Sequence, residues 1–468
     1  MATKHDGNDG DAQRRAAVVE EFERRRVGVA GGASPFAYRR DQLLLSAADL
    51  ERAGRVAGFR ERQVADPEPL EAADGEVVRV RVREERIATR ELRAAGVAAQ
   101  LNHVLFTDSG TSLWANPAYQ ANPAYQANPA YQANPAYQAN PAYQANPAYQ
   151  ANPAYQANPL VACTTAIPAT PLPSWPRPKG PAPLIAVLDS GLQTEGERTD
   201  ETRVSGDSRV PRHAGLQAHV VMPDTWRLLP LDDDPRADED IPDENRDTYL
   251  DRAAGHGTFI AGLVARLCPS ADVRTAAAVS SFGDGDDFTL ARALGDVFAD
   301  ARPSVVNMSF GGHTEHDEPP LAMEAITRRH ATRDGDTVLV ASAGNSASCR
   351  PNWPAAFRDV IAVAALDACG GPAWFTNYGH WVDACAPGVD VVSTFLHHDG
   401  LDVDGTRLER FDGWASWSGS SFAAPKVAAA IAREMVVSGL EPRAAAHCVV
   451  DAHGLHRIPN LGAVVNLV

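Results

Sequence analysis

Short apolar runs recur along the second half of the chain and predict strands buried in a sheet. They lie at LIAVL (184–188), SVVNM (304–308), TVLVAS (337–342), VIAVAA (360–365) and VDVVST (389–394). Runs of this length without polar alternation are typical of parallel strands that are covered on both faces. The longer segments between them predict helices over 256–267, 289–301, 320–332 and 421–436. Alternating strands and helices predict an α/β domain over residues 181–468 with a doubly wound, mostly parallel sheet.

The first part of the chain has a different pattern, typical of a small mixed domain over residues 36–108. Strands are predicted at QLLLS (42–46), VVRVRVRE (77–84) and HVLFT (103–107), and helices at 46–57 and 89–97. This order suits a small α/β sandwich that covers one sheet face with helices. Residues 1–35 are polar and are predicted to be a tail.

A repetitive linker over residues 109–180 separates the two parts. It holds seven identical copies of ANPAYQ between residues 115 and 156, and the proline-rich stretch IPATPLPSWPRPKGPAP begins at residue 167. A proline in every copy disfavours helix at the preceding asparagine, so the tract is interpreted as an extended spacer. The alternative is a ladder of tyrosines that binds a partner.

Composition and charge narrow the function. The chain is 44% apolar and 22% charged, and its net charge of −17 arises almost wholly after residue 180. Residues 1–180 carry 20 basic and 19 acidic side chains. An acidic second part argues against a nucleic-acid partner, because phosphate binding needs clustered Lys and Arg. Neither a signal-peptide pattern nor an apolar run long enough to span a membrane is seen, which predicts a cytoplasmic location and six reduced, mostly buried cysteines.

Three residues of complementary chemistry lie where strands end or helices begin. Asp189 follows the strand LIAVL, His256 opens the segment HGTFIAGLVARL, and Ser421 lies in SGSSFAAP ahead of another helix. A serine hydroxyl becomes a nucleophile when an imidazole takes its proton and a carboxylate orients that imidazole. Asp, then His, then Ser is one of the known chain orders of such a triad.

These motifs resemble those of the subtilisin-like serine peptidases. DSG (189–191), HGT (256–258) and GSSFAAP (419–425) are similar to the Asp, His and Ser motifs of that family, and the resemblance covers 181 to about 466. It implies a serine endopeptidase with Ser421 as nucleophile, His256 as general base and acid, and Asp189 orienting His256. By the same resemblance Asn345 in ASAGNSAS is the oxyanion-hole amide, acting with the Ser421 backbone N–H.

The resemblance also implies a substrate cleft. NMSFGG (307–312) is similar to the family segment that pairs with substrate backbone, and AGN (343–345) to the opposite wall of the primary specificity pocket. Asn352, just before a Trp-Pro pair, is expected at the pocket floor. The substrate-binding residues expected on this basis are Ser309, Phe310, Gly311, Gly344 and Asn352.

Three questions stay open at the level of sequence. The acidic stretch 231–247 holds nine carboxylates and is interpreted as a solvated loop, with recognition of basic substrates or calcium binding as alternatives. It fits no metal-ligand template, so no metal residue is assigned, and no cofactor is expected. The N-terminal domain is expected to be a removable prodomain that inhibits the enzyme; the alternative is a recognition or regulatory module. For the whole chain, the alternatives to a general protease are a silent binding protein on the same fold and a protease that processes a single substrate.

Overall fold

The structure is a computed structural model that describes most of the chain outside the linker. Described are residues 20–32, 34–107, 161–162, 182–193, 251–333, 336–401 and 408–466, with short pieces between 208 and 250. The seven repeats, the rest of the predicted linker and most of the acidic stretch 231–247 lie outside these residues. The predictions for the linker therefore remain predictions.

A ten-stranded sheet forms the centre of the second part. Its spatial order is β19-β20-β16-β15-β14-β12-β7-β10-β9-β8. The eight strands from β20 to β9 run parallel, and the two outermost strands pair antiparallel with their neighbours. The strands are β7 (Leu184–Asp189), β8 (Ser208–Arg209), β9 (Val220–Pro223), β10 (Asp272–Ala277), β12 (Val305–Met308), β14 (Val338–Ser342), β15 (Val360–Leu366), β16 (Ala384–Pro387), β19 (Arg457–Ile458) and β20 (Gly462–Val464).

Helices cover both faces of this sheet, which confirms the predicted doubly wound fold. On one face Ile185 and Val187 pack with α4 and α7, while on the other Ala186 and Leu188 pack with α5 and α6. Successive side chains of a strand point to opposite faces, so one apolar run supplies two cores. The helices are α4 (His256–Leu267), α5 (Asp287–Asp300), α6 (Leu321–Arg333), α7 (Ser420–Ser438) and α8 (Pro442–Val450).

The run at 389–394 is not a strand of the parallel sheet, and that prediction is wrong. It begins β17 (Val391–Leu401), which pairs antiparallel with β18 (Leu408–Trp417) in a separate sheet that β6 (Val161–Ala162) extends. Ser393 Oγ donates to the carbonyl of Phe259 at 2.7 Å, so the hairpin lies on α4. An apolar run predicts that a segment is buried, but it does not predict which sheet the segment joins.

The N-terminal domain is built on a second sheet with several short helices, one of them at 20–24. The sheet has the order β11-β5-β2-β4-β3, with β1 added on β2 and β13 on β5. The strands are β1 (Val27–Ala30), β2 (Phe36–Ser46), β3 (Glu68–Pro69), β4 (Val77–Arg81), β5 (Ala99–Thr107), β11 (Asp284–Asp286) and β13 (Phe310–Gly311), and the helices α1 (Ala47–Ala53), α2 (Phe59–Arg62) and α3 (Glu85–Ala94). The tail predicted for 1–35 is wrong in its last part, because β1 pairs with β2.

This sheet is shared between the two parts of the chain. Leu43 and Leu45 of β2 pack under the domain's own helices, whereas Leu44 packs into the core that also contains Phe288 of α5 and Phe310 of β13. Successive side chains of β2 therefore pack into two different cores, one within the N-terminal domain and one shared with the second part of the chain. The N-terminal domain is docked on the α/β domain through a continuous apolar contact.

Two further features concern the described residues alone. None of their helices is long and apolar enough to cross a bilayer. Among the five cysteines within them, all unpaired, Cys268 and Cys385 are buried, whereas Cys349, Cys369 and Cys448 are exposed. The prediction of mostly buried thiols therefore fails for these three.

Candidate active site

Asp189 and His256 lie side by side at the carboxyl edge of the central sheet. Asp189 ends β7, and His256 is the first residue of α4. Nδ1 of His256 lies 2.7 Å from Oδ1 of Asp189, and both side chains are fully buried. A carboxylate at this nitrogen favours the tautomer that carries its proton on Nδ1 and leaves Nε2 as the base.

Glycines beside His256 permit the close approach of helix and turn. Gly255 has a φ of +81°, and a Cβ there would lie 2.3 Å from the Phe395 ring. A Cβ at Gly257 would lie 2.3 Å from the carbonyl oxygen of Gly191. Such contacts are not tolerated, so the second glycine lets α4 pack directly on the turn that follows Asp189.

Asp240 is a second carboxylate at this edge, and the prediction of a solvated loop is wrong for this residue because it is fully buried. Its oxygens accept hydrogen bonds from Ser190 Oγ at 3.2 Å, the Gly255 N–H at 2.6 Å and Thr258 Oγ1 at 2.8 Å. These donors flank Asp189 and His256 in sequence, so one carboxylate joins the two turns. Nothing in a run of nine carboxylates distinguishes the one that is buried.

The charge of the Asp240 carboxylate, which joins the two turns, depends on pH. Burial raises the pKa of the Asp240 carboxyl to about 6, against the opposing effect of the hydrogen bonds from Gly255 and Thr258, and the charge of Asp189 adds to the rise. The link between the two turns therefore changes its protonation near pH 6.

Ser421 lies in the first turn of α7, and its backbone is anchored to β12. Pro425 lacks the N–H that would bond the Ser421 carbonyl within the helix. Ser309 Oγ donates to that carbonyl instead, at 2.9 Å, and Asn307 Nδ2 donates to Ser309 Oγ at 2.9 Å. Pro425 therefore leaves the Ser421 carbonyl without its helical partner, and Ser309 bonds it instead.

No hydrogen bond joins the Ser421 side chain to the His256 imidazole in this structure. Ser421 Oγ donates to the Ser309 carbonyl at 3.3 Å, and among the described residues the buried Nε2 of His256 has no hydrogen-bond partner. The rings of Trp417 and Phe422 each lie 5.4 Å from the imidazole, centroid to centroid. In a serine–histidine pair of this chemistry the hydrogen bond would join Oγ to Nε2. Hydrogen bonds of this kind often tighten only when substrate binds.

Asn345, which the resemblance implies to be the oxyanion donor, lies beside the start of α7. Its Oδ1 accepts from the Ser420 N–H at 2.9 Å, and the neighbouring Gly344 N–H donates to Ser420 Oγ at 3.0 Å. The first of these bonds fixes the side-chain amide, because its oxygen is bonded to Ser420 and Nδ2 is the group that can donate. Gly344, Asn345 and Ser420 therefore belong to one hydrogen-bonded unit next to Ser421.

Asn377 supports this unit, and sequence analysis did not single it out. The fully buried side chain donates to the Ala343 carbonyl at 2.8 Å and accepts from the N–H groups of Ser346 at 2.9 Å and Ser348 at 3.0 Å. It thus braces the loop on both sides of Asn345. An Asn in the string TNYG gives no signal beyond that of a turn residue.

The five residues expected to bind substrate lie together at the cleft. Phe310 and Gly311 form β13, and Asn352 is buried between β13 and the loop at Gly344. A Cβ on Gly311 would lie 2.1 Å from Asn352 Nδ2, and one on Gly344 would lie 3.1 Å from it. Ser309 precedes this strand. The side-chain amide of Asn352 therefore lies between Gly311 on one side and Gly344 on the other.

The cleft holds the end of β5 from the N-terminal domain. Phe106 lies opposite both Asp284 of β11 and Gly311 of β13, in antiparallel pairing on each side. The Thr107 N–H donates to the Gly283 carbonyl at 2.7 Å. An extended segment therefore completes a three-stranded sheet at the site, which is the geometry of peptide recognition by strand addition.

Several known proteins are similar to this chain in sequence. The family model described as "Subtilase family" matches residues 180–453, more than half of the chain. A thermophilic serine proteinase of Bacillus sp. (strain AK1) is 35% identical over 185 residues, 37% of this chain and 40% of that protein. An extracellular protease of Xanthomonas campestris pv. campestris is 25% identical over 309 residues, 60% of this chain and 48% of that protein. The chain spans less than half the length of either relative.

One solved structure is a cold-adapted subtilisin-like serine proteinase. It is 20% identical with a TM-score of 0.44 and covers 61% of this chain and 88% of its own. The relatives also bear on location, because the Xanthomonas protein is named an extracellular protease. They contradict the cytoplasmic location predicted from the sequence, and that prediction is wrong.

Proposed function

Because this chain belongs to the subtilase family, we propose that it is a serine endopeptidase that hydrolyses peptide bonds through Ser421, His256 and Asp189. The observation that carries the proposal is the 2.7 Å contact between His256 Nδ1 and Asp189 Oδ1 at the edge of the sheet where α7 presents Ser421.

In this mechanism His256 Nε2 takes the proton of Ser421 Oγ as that oxygen attacks the carbonyl carbon of the substrate. Asp189 keeps the imidazole in the required tautomer and stabilises its charged form. His256 then gives the proton to the leaving amine, and an acyl group remains on Ser421. Water, activated by the same imidazole, hydrolyses that ester and returns the proton to Oγ.

The oxyanion of each tetrahedral intermediate needs donors that are already in place. Asn345 Nδ2 and the Ser421 N–H are the proposed donors, held together through the bond from Ser420 to Asn345 Oδ1 at 2.9 Å. Donors fixed in advance stabilise developing charge without reorganisation. Ser421 also lies at the amino end of a long helix, where the partial positive charge favours an anion.

The register of β5 indicates how a substrate would lie. Thr107 pairs with Phe310, so an extended substrate in the same register places its next residue opposite Ser309, beside Ser421. We number this cleft position 1, ahead of the scissile bond; Thr107, Phe106, Leu105 and Val104 then occupy positions 2 to 5. Ser309, Phe310 and Gly311 are the proposed backbone partners, and Gly344 and Asn352 the proposed pocket residues.

The same contact supports inhibition by the N-terminal domain. The end of β5 takes the place that a substrate would take between β11 and β13, and the active-site side chains beneath it are buried. The linker over residues 109–180 would keep the domain attached. A peptide or protein substrate is the expected partner. The steps above are written without calcium. Among the residues that the structure describes, no group of three or more His, Cys, Asp or Glu could hold a metal ion.

Intact-mass spectrometry over time tests the proposal, with the purified chain beside Ser421→Ala. We expect the unchanged chain to lose an N-terminal piece of about 108 residues, as the register predicts, while Ser421→Ala stays whole. A serine-directed fluorophosphonate probe is added to samples of both after the incubation. Labelling of Ser421 without processing would separate an active site under lasting inhibition from an inactive fold. No labelling and no processing would overturn the proposal.

A further inference from the structure

Two buried carboxylates line the outer wall of the cleft, and the N-terminal domain supplies their cations. Asp284 and Asp286 of β11 are 3% and 1% exposed. Arg25 Nε lies 2.7 Å from Asp284 Oδ1, and Arg39 Nη2 lies 3.1 Å from Asp284 Oδ2. Arg39 Nε lies 3.5 Å from Asp286 Oδ2. This end of the cleft is therefore occupied by guanidinium groups.

An aromatic ring completes the contact. The guanidinium carbons of Arg24 and Arg25 lie 5.8 and 5.3 Å from the centroid of Phe282, two residues before Asp284. A ring face next to a carboxylate is a favourable environment for an arginine side chain. Phe282 and Asp284 thus form one acceptor for a cation.

The pairing of β5 shows which substrate side chain would reach this acceptor. Phe106 lies directly opposite Asp284, and directly opposed residues of antiparallel strands carry their side chains on the same face. Phe106 packs among residues of the N-terminal domain, including Val27 and Ala37. Leu105 points the other way, into the core that the two domains share. Position 3 of a substrate would therefore face Asp284, and position 4 would fill an apolar pocket.

Departure of the N-terminal domain would remove both arginines and leave these carboxylates without them. Asp284 Oδ1 keeps its bond from Ser280 Oγ, at 2.6 Å, within the catalytic domain. A neutral side chain at position 3 would leave Asp284 with Ser280 and solvent and without a cation, whereas an arginine there would restore both the ion pair and the ring contact.

We propose that Asp284, with Phe282, is a specificity determinant that favours substrates carrying Arg or Lys at position 3. The inference rests on the proposed protease function and names the substrate class of the same cleft. Burial alone would raise the pKa of Asp284, but the adjacent Arg25 and Arg39 hold it well below the usual range. Once those groups leave, an ordinary carboxyl pKa still keeps the acceptor charged at neutral pH.

Competition between two peptides tests this inference. The peptides differ only by Arg or Gln at position 3, share Leu at position 4, and are mixed in equal amounts with the full chain after its own processing. Mass spectrometry gives the cut site and the ratio of the two kcat/KM values. We expect the Arg peptide to be preferred by about tenfold, a gain typical of a charge-assisted pair.

Two variants and one control identify the origin of the preference. Asp284→Asn keeps the size of the side chain and should bring the ratio near one, and Phe282→Leu should lower it in part. The control is Asp272→Asn. Asp272 is exposed at the start of β10, the end of that strand away from Asp189, so this change should leave the ratio unchanged. Both peptides compete for the same enzyme in one sample. A variant that releases less of the N-terminal domain therefore lowers both cleavage rates equally and leaves the ratio of the two kcat/KM values unchanged.

Each outcome decides the inference. A ratio near one in the unchanged chain, or a preference that survives Asp284→Asn, overturns it while leaving the protease function intact. Labelling of Ser421 by the fluorophosphonate probe in the processed chain, without cleavage of the Arg peptide, also overturns it. If neither peptide is cut and Ser421 resists the probe, the proposed function fails and the inference falls with it.

Discussion

At the scale of single residues, Asn345 has two separable roles. Its Oδ1 accepts from the Ser420 N–H at 2.9 Å, and its Nδ2 is the proposed oxyanion donor. Asn345→Asp would keep the acceptor and remove the donor, whereas Asn345→Ala would remove both. We expect kcat to fall by about 10²–10³ for either variant, as for the corresponding donor in subtilisin, with little change in KM. Steady-state kinetics on a peptide substrate measure this effect.

Thermal unfolding then separates the two roles. Only Asn345→Ala should lower Tm, because it leaves the Ser420 N–H without its partner at a buried position. Equal activity of Asn345→Ala and the unchanged chain would remove Asn345 from the oxyanion site. An equal drop in Tm for both variants would show that the contact with Ser420 depends on the intact amide.

The residues of the site differ in how much sequence reveals about them. Asp189, His256, Ser421 and Asn345 stand in short motifs whose order and chemistry indicate a triad and an oxyanion donor. Asp240 and Asn377 are as deeply buried, yet their role depends on which turns the fold brings to them. Distances between such turns arise from tertiary packing, so an acidic run or a turn-like Asn carries no local signal for them.

At the scale of elements, β5 joins the domains through a buried histidine. His103 is fully buried, and its Nε2 accepts from the Glu315 N–H at 3.1 Å. Burial, together with the charge of Arg93, lowers the pKa of His103 to about 3. The docked state therefore binds fewer protons than a released state with an ordinary histidine pKa near 6.5. Docking is favoured above about pH 6.5 and weakens progressively as the pH falls towards 3.

We therefore expect β5 to open more readily at pH 5 than at pH 7, by up to about tenfold in the opening constant per pH unit below 6.5. Hydrogen exchange of the β5 amides in Ser421→Ala, corrected for the intrinsic effect of pH, measures this constant. His103→Phe should flatten the dependence, and the exposed His316→Asn should leave it unchanged. The same slope in His103→Phe as in the parent would assign the acid sensitivity to other groups.

Strands can be predicted from sequence where both of their faces are buried. β7, β12, β14 and β15 are covered on both faces and appear as uniform apolar runs, so their prediction as parallel strands is confirmed. β17 begins with an equally apolar run but belongs to a hairpin on α4. β11 and β13 have two or three residues each and take their strand form by pairing with β5, which no local pattern could indicate.

At the scale of the whole molecule, the catalytic core is completed by the N-terminal domain. Leu44, Leu70, Val77 and Leu105 are buried in one cluster with Phe288 and Phe310 of the catalytic part. Burial of each large apolar side chain contributes about 1.5–3 kcal/mol. A chain that lacks residues 1–107 would expose this surface and the two aspartates of β11 together.

We therefore predict that residues 108–468, produced without ever folding beside the N-terminal domain, fail to give a cooperative thermal transition and bind a hydrophobic dye. The catalytic part of a chain that folded whole and was then cleaved should keep its fold, because slow unfolding holds it there. Adding residues 1–107 as a separate chain should restore both the transition and the loss of dye binding. The added piece with Leu105→Asp should not restore them, because the charge would enter the shared core. The piece with Val29→Asp should act like the unchanged piece, since Val29 is 45% exposed. A cooperative transition of residues 108–468 without the added piece would mean that the shared cluster is dispensable for folding, and the N-terminal domain would then act on the cleft alone.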